Sequence, residues 1–331
     1  MQEMVRVSGL RKTYKGGVEA VRGIDFSVFK GETFGFLGPN GAGKSTTISM
    51  ITTLLRPTSG TINVDGHDSR REQAAVRRTI GLVPQDLTAD DQLSGRENMW
   101  LHAMLYNVPK PEAKVRIEEL LDLVGLTEAA DRRVDTYSGG MRKRLELAEG
   151  LIHRPRLLFL DEPTLGLDIQ TRKVIWEYIA RLKRENDMTV FLTTHYLEEA
   201  DALCDRIAII DRGSITAIGT PSELKAAVGR EFVTVRFSSP PPADALSMIA
   251  GVESVSDVEN GYRLSTTDGR GTMHSVLTGA RDHGWDITDI SVSEPDLNDV
   301  FLMYTGTGLR DGISNPDETR RARIQMRRAR R

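Results

Sequence analysis

Only one cysteine, Cys204, occurs in the chain, so no intrachain disulfide can form and burial and hydrogen bonding must hold the fold, as suits a reducing compartment. Long hydrophobic runs are also missing. Nothing approaches the roughly 18 uninterrupted apolar residues of a membrane span, and Met1-Gln2-Glu3-Met4-Val5-Arg6 lacks the charged-then-apolar order of a secretory signal. We therefore expect a cytoplasmic protein that reaches a membrane only through a partner. Nor does one sign of charge dominate: 44 Lys and Arg against 47 Asp and Glu leave a net charge of −3, with no overall signature of nucleic-acid binding. That balance hides an asymmetry, because the last twelve residues hold seven arginines and no acid, and −3 less 7 leaves the remainder at −10. What is present is an ordinary soluble composition, 39% hydrophobic and 27% charged, over 331 residues, a length that suits one large domain and a smaller one.

Strand-like runs open the chain at Met4–Ser8 and Ile24–Phe29, with turn signals at Gly16-Gly17 and Lys30-Gly31. Thr33-Phe34-Gly35-Phe36-Leu37, apolar on both faces, predicts a buried strand that runs into a glycine-rich loop and a helix from about Lys44. Thr61–Val64 reads as a further strand, and residues 94–153 as mainly helical, including the amphipathic stretch Pro111–Val124. Leu157–Leu160 and Val190–Thr193 are strand candidates on either side of a helix over Ile169–Arg184. Ile207–Ile210 and Ser214–Ile218 suggest a hairpin around Asp211-Arg212-Gly213. Composition shifts after Gly229, and the rest predicts strand Glu231–Phe237, helix Ala243–Ile249, strands Val252–Val258 and Tyr262–Ser265, helix Thr272–His283 and strand Ile287–Val292. The order β-α-β-β-α-β is the split arrangement of small ferredoxin-like domains. We expect three regions: 1–229, 230–305, and a disordered tail over 306–331 in which Gly, Asp, Asn, Pro and Arg dominate.

Gly38-Pro39-Asn40-Gly41-Ala42-Gly43-Lys44-Ser45-Thr46 matches the P-loop pattern G-x-x-x-x-G-K-[ST] and lies between a predicted strand and a predicted helix. Its glycines let backbone N–H groups turn toward phosphate oxygens, and the helix adds the positive end of its dipole. Lys44 can neutralise the β- and γ-phosphates of ATP and the Ser45 hydroxyl can ligate Mg²⁺. A chance glycine-rich turn would not need the lysine, the hydroxyl and both flanks together. In Leu157-Leu158-Phe159-Leu160-Asp161-Glu162, an apolar strand ends in two acids. Asp161 can hold the magnesium shell and Glu162 can polarise the attacking water as general base. The plainer reading of either acid is a solvated loop carboxylate.

Tyr137-Ser138-Gly139-Gly140-Met141, shortly before that acidic strand, resembles the signature of ATP-binding cassette (ABC) proteins. Val83-Pro84-Gln85 looks like their glutamine loop, Thr164-Leu165-Gly166-Leu167-Asp168 like their D-loop, and Thr193-Thr194-His195 like their switch histidine. Tyr14 stands where the family stacks an aromatic ring on adenine. Alone, His195 reads as a core histidine and Tyr14 as a surface aromatic; the order of six motifs over 4–220 carries the resemblance. It implies an α/β P-loop NTPase cassette with a RecA-like core, an antiparallel β subdomain and a helical signature subdomain, followed by a small α+β accessory domain. It implies two cassettes, a homodimer, in which Ser138, Gly139 and Gly140 of one close on the γ-phosphate held by the other. His195 would contact that phosphate, Gln85 would sense it through Mg²⁺ or water, and Asp168 would lie at the interface.

The Tyr-Ser-Gly-Gly-Met signature, the run Thr193–Asp201 and Glu294-Pro295-Asp296-Leu297-Asn298-Asp299-Val300-Phe301-Leu302 look like the daunorubicin-resistance branch of drug exporters. That branch implies a separate ABC-2-type membrane permease as partner, placing the chain on the cytoplasmic face of the membrane. Leu297, Val300 and Phe301 equally fit one packed face of a helix. The arginine-rich end suits a solvated tail, contact with anionic lipid, or nucleic acid. Cassettes of DNA repair usually carry a long coiled-coil or zinc insertion, and those of translation carry two cassettes per chain. Neither pattern is present, so no nucleic-acid partner is expected. A kinase or GTPase needs no Ser-Gly-Gly upstream of a Leu-Asp-Glu strand.

Overall fold

The computed structural model describes residues 2–186 and 188–306. The expected disordered tail and its lipid contact lie outside these residues, except for Gly306, which closes the last helix in the left-handed region at φ 70. Two compact units emerge, the first running to Pro221 and the second beginning at Ser222.

The first unit opens with β1 (Glu3–Thr13), β2 (Glu19–Phe29), β3 (Thr33–Leu37), α1 (Lys44–Ile51), β4 (Ser59–Val64) and β5 (His67–Asp68). It continues through α2 (Gln73–Thr79), β6 (Ile80–Val83), α3 (Gly95–Leu105), α4 (Lys110–Leu123), α5 (Gly139–Leu151) and β7 (Leu157–Asp161). It closes with α6 (Ile169–Asn186), β8 (Thr189–Thr194), α7 (Leu197–Leu203), β9 (Arg206–Asp211) and β10 (Ser214–Gly219). An antiparallel sheet in the order β2-β1-β4-β5 faces a six-stranded sheet in the order β10-β9-β3-β8-β7-β6. The latter is parallel from β9 to β6, with β10 returning antiparallel at its edge. β3, β7 and β8 are buried at every position, which explains apolar stretches such as Leu157–Leu160 and Val190–Leu192: a parallel strand covered on both faces needs no alternation. One core joins the two sheets, with Met4, Val5 and Leu10 of β1 packed with Phe34, Phe36, Phe159 and Phe191. The phenylalanine rings meet at 5.2–5.3 Å between Phe191 and both Phe36 and Phe159, in tilted pairs. Between β6 and β7 the helices α3, α4 and α5 form a helical layer whose first helix starts on a Ser94–Glu97 capping box.

The second unit holds α8 (Pro221–Val228), β11 (Glu231–Phe237), α9 (Ala243–Ser247), β12 (Ser254–Val258), β13 (Gly261–Thr266), α10 (Gly269–His283), β14 (Ile287–Ser293) and α11 (Leu297–Thr305). Its sheet runs β12-β13-β11-β14 with all neighbours antiparallel. β13 thus lies between β11 and β12, the split βαβ of a ferredoxin-like domain. Val233, Val235, Phe237, Leu246, Tyr262, Leu264 and Val276 form its core. Asp296 caps α11, and Asp299 on that helix takes Arg263 of β13 in a two-pronged pair at 2.7 and 2.8 Å.

This division falls earlier in the chain than the expected break after Gly229. Gly229 sits at φ 67 with its N–H on Ala226 O, so the composition shift there marks the end of α8 and not the start of a domain. Strand β6 and helix α2 carry no clear periodicity in sequence, and nothing in it predicts them. β6 is four residues long, and only Val76 of α2 is buried.

Candidate active site

Strand order brings the motifs together. β3 lies between β8 and β9, and β7 lies beside β8, so the loops leaving the carboxyl ends of β3, β7 and β8 are neighbours. Register places Leu37 beside Thr194 and Asp161 beside Thr193. In open α/β sheets this edge is where ligands bind.

The loop after β3 depends on glycine at two places. At Gly43, φ is 105 and an added Cβ would meet Ala20 O at 2.5 Å; at Gly38 it would meet Ile210 O at 2.2 Å. Gly43 caps α1, whose first residue is Lys44. The Lys44 ammonium is 5% exposed and donates to Gly38 O at 2.6 Å and Pro39 O at 3.3 Å, with Glu162 Oε1 at 2.9 Å. The same loop thus folds around its own cation, at a helix N-terminus, which is a receptor for a polyanion.

Asp161 ends β7 and accepts the Thr193 hydroxyl at 2.6 Å and the Ser45 hydroxyl at 3.2 Å on one oxygen. Burial raises its pKa, and these two hydrogen bonds oppose the rise. Glu162 answers differently. Burial pushes its pKa up as well, but the His195 hydrogen bond and the Lys44 charge outweigh that and leave it lowered. The adjacent carboxyls are therefore pushed in opposite directions by their different partners. Glu162 also holds φ 52, unusual for a side-chain-bearing residue, and its N–H donates to Thr193 O and Thr193 Oγ1, each at 3.1 Å. His195 Nδ1 meets Glu162 Oε2 at 2.5 Å. Lys44, Ser45, Asp161, Glu162 and His195 thus form one connected cluster.

Ser45 and Asp161 offer only oxygen donors, the set a hard divalent cation takes. Among the described residues no group of three or more His, Cys, Asp or Glu can hold a metal. The set therefore suits Mg²⁺ that completes its shell with phosphate oxygens and water, as Mg²⁺ does in nucleotide sites.

The other residues singled out in sequence lie around this cluster. Tyr14 is half-buried beside α1, its hydroxyl 3.3 Å from Thr46 Oγ1. Gln85 is exposed on the loop after β6, and none of the described hydrogen bonds joins it to Ser45 or Asp161. Ser138 caps α5 by accepting the Met141 N–H at 3.2 Å; Ser138 and Gly139 are exposed. Gly140 packs so close to the start of α6 that a Cβ would meet Thr171 at 2.6 Å. Asp168 accepts the Thr171 N–H and hydroxyl at 3.0 and 2.6 Å, so it also caps α6.

Sequence reading missed Thr193 as a partner of both acids, although it lies two residues before His195 and pairs with Asp161 by register. It also missed a buried pair on α5. Lys143 donates to Pro84 O at 2.8 Å and to Glu146 at 3.1 Å, while Glu146 accepts the Thr88 N–H at 2.6 Å. The segment around Gln85 is thereby pinned to α5 at both ends. The i, i+3 spacing of the pair was the available signal.

A family model described as ABC transporter matches residues 21–165, and one described as ATP-binding protein DrrA1-3-like, C-terminal domain, matches residues 219–305. The chain is 41% identical over 313 residues to the linearmycin resistance ATP-binding protein LnrL of Bacillus subtilis (strain 168), covering 93% of this chain and 100% of that protein. It is 42% identical over 307 residues to the daunorubicin/doxorubicin resistance ATP-binding protein DrrA of Streptomyces peucetius, covering 91% and 92%. Among solved structures it resembles cbiO1 from Clostridium perfringens, part of the ABC transporter complex cbiONQ, with TM-score 0.64 and 29% identity over 68% of this chain and 92% of that one. It also resembles a dimeric post-hydrolysis state of an ATP-binding cassette bound to ADP and Pi, with TM-score 0.61 and 28% identity over 66% of this chain and 98% of that one.

Proposed function

The chain belongs to the ATP-binding subunits of ABC transporters, with a DrrA-like C-terminal domain, and it hydrolyses ATP to drive transport; on that basis we propose that two copies close head-to-tail around ATP and drive a separate ABC-2-type permease that exports a hydrophobic drug, antibiotic or lipid. The names of the relatives support the cargo class. Among the described residues no helix is long and apolar enough to cross a membrane; the reading places the chain on the cytoplasmic membrane face, beneath a separate permease.

The convergence of Lys44, Ser45, Asp161, Glu162 and His195 on one sheet edge carries the reading. Backbone N–H groups of residues 40–46 and the Lys44 ammonium receive the β- and γ-phosphates, and Tyr14 stacks on adenine. Ser45 and Asp161, with Gln85, would hold Mg²⁺, which when bound would neutralise charge on the transferred phosphoryl group. Water attacks the γ-phosphorus, Glu162 takes its proton, and ADP leaves. His195 contacts the γ-phosphate and holds Glu162 in place. Ser138, Gly139 and Gly140 of the partner subunit complete the site. The exposure of Ser138 and Gly139 at the start of α5 supports this role. Asp168 lies at the interface between copies. The second unit tunes assembly or coupling.

The test is an ATPase assay with and without nucleic acid, beside capture from the membrane fraction of the producing cell. Activity indifferent to nucleic acid and recovery of a multi-span membrane protein are expected. Activity stimulated by nucleic acid, with no membrane protein recovered, would sink the transport reading.

A further inference from the structure

The D-loop and the switch histidine are joined by side chains that no motif includes. Arg172, in the first turn of α6, donates from Nε to Leu167 O at 3.0 Å. Its guanidinium lies over the ring of Tyr196, 3.8 Å from the centroid. The other side of this contact is the switch itself, because the Tyr196 and His195 rings stand 4.1 Å apart at 39°. At the far end of the loop the Thr164 hydroxyl donates to Glu199 Oε1 at 2.8 Å, and the same oxygen accepts the Trp176 indole N–H at 2.9 Å. Glu199 is fully buried on α7, the helix that begins two residues after His195. Both ends of the loop are thus tied to the segment that carries His195, while its middle, Leu165 and Gly166, is exposed.

We propose that Arg172 and Tyr196 are positioning residues that lock the His195 imidazole to the D-loop, so that the switch histidine is aimed correctly only while that loop holds its place. The proposal rests on the reading of the site as an ATPase. A planar guanidinium suits this double contact, because its carbon sits 3.8 Å from the tyrosine centroid while its Nε–H keeps a fixed direction to Leu167 O, a pairing that a lysine ammonium cannot reproduce. The imidazole is held by two contacts, the Tyr196 ring at 4.1 Å and Glu162 Oε2 at 2.5 Å from Nδ1. Removing the ring frees His195 to rotate away from the phosphate. A displacement of the exposed loop is carried by Leu167 to Arg172, by stacking to Tyr196, and so to the imidazole. The loop's surroundings then govern hydrolysis without any D-loop atom touching the reacting groups.

The experiment uses the full chain and compares Tyr196→Leu, Tyr196→Phe, Arg172→Met and Arg172→Lys by steady-state ATPase kinetics and thermal unfolding. Tyr196→Leu and Arg172→Met should each lower kcat about 10- to 100-fold, the usual effect of a misplaced catalytic group. KM for ATP should stay within about twofold, because ground-state binding is not what is lost. Tyr196→Phe keeps the stacking ring and should recover to within about threefold of wild type, while Arg172→Lys should recover only in part. The double variant Tyr196→Leu/Arg172→Met should be no slower than the worse single one, since both break a single tie. Unchanged kcat in both Tyr196→Leu and Arg172→Met overturns the proposal. So does Tyr196→Phe as slow as Tyr196→Leu, or a loss that appears wholly in KM. Arg172 is half-buried at the start of a helix, so its variants remain informative where Tyr196→Leu fails to fold. Wild-type protein without ATPase activity is a separate result, which sinks the enzymatic reading and this proposal with it.

Discussion

Glu162 Oε1 lies 2.9 Å from Lys44 Nζ, and each side chain is only 5% exposed. The group that would receive phosphate and the group that would activate water are therefore each other's partner. A bound γ-phosphate competes with Glu162 for the same ammonium, and the carboxylate relinquished by Lys44 keeps its hold on His195. This coupling gives the first two substitutions different signatures although their atoms touch.

Glu162→Gln removes the proton acceptor and leaves the phosphate cradle whole. Turnover should fall by about 10²–10⁴, the usual worth of a positioned general base. ATP affinity should be kept, and because ATP then persists between two copies, the variant should run as a dimer on size exclusion with ATP. A monomer in ATP with near-wild-type turnover would remove Glu162 from this role.

Lys44→Ala deletes the one side-chain cation that the loop folds around. Binding of a fluorescent ATP analogue should be lost, not merely slowed in turnover. Glu162 keeps His195 as a partner, so the variant should still fold, which circular dichroism checks. Affinity equal to wild type in the folded variant would mean that this loop is not the site.

Ser138→Arg acts on the other copy's nucleotide if Ser138 works in trans. It should lower ATPase activity yet leave ATP binding by the monomer intact. Mixed with Lys44→Ala subunits, it should form heterodimers with one sound composite site and one site bearing both defects. A mixture no more active than either variant alone, with heterodimers demonstrated, would count against the trans arrangement.

What the sequence could announce was whatever repeats a local physical rule. The apolar stretches within β3, β7 and β8 and the glycines around Lys44 are such cases, since burial on both faces and close backbone approach leave few residue choices. The accessory unit's order of strands and helices was legible along the chain, while the order of its strands within the sheet is given by the structure. The α5 stretch hid its nature: Lys143, Glu146 and Glu149 look like a solvated charged face but are all buried, because each packs into the helical layer or toward the Gln85 loop. Charged residues default to solvent, so only tertiary structure reveals the exception. Tyr196 and Arg172 lie twenty-four positions apart and meet only because α6 and α7 pack together. Gln85 and Ser138 are recognisable by resemblance alone, for their own chain supplies neither with a catalytic partner among the described hydrogen bonds.

Glu149 provides a prediction about stability. It is 2% exposed on α5, its Oε1 has no hydrogen-bond partner among the described residues, and its Oε2 lies 3.5 Å from His102 Nε2. Burial, and then the nearby Glu146 charge, push its pKa up to about 8, while burial lowers that of His102, so the two do not form a charged pair near neutrality. In the unfolded chain the carboxyl releases its proton near the ordinary glutamate value of 4.5. Between that value and about 8 the folded protein therefore holds the extra proton, and stability is lost as pH rises through this window. Glu149→Gln keeps the shape and cannot ionise. The variant should gain little near pH 5 and more as pH rises, approaching about 3–5 kcal/mol above pH 8 by linkage of roughly 1.4 kcal/mol per pKa unit. Urea unfolding of both proteins at about pH 5, 6.5 and 8.5 measures this difference. A stability difference that is the same at all three values would show that Glu149 titrates normally, and that water or a shift of α3 relieves its burial.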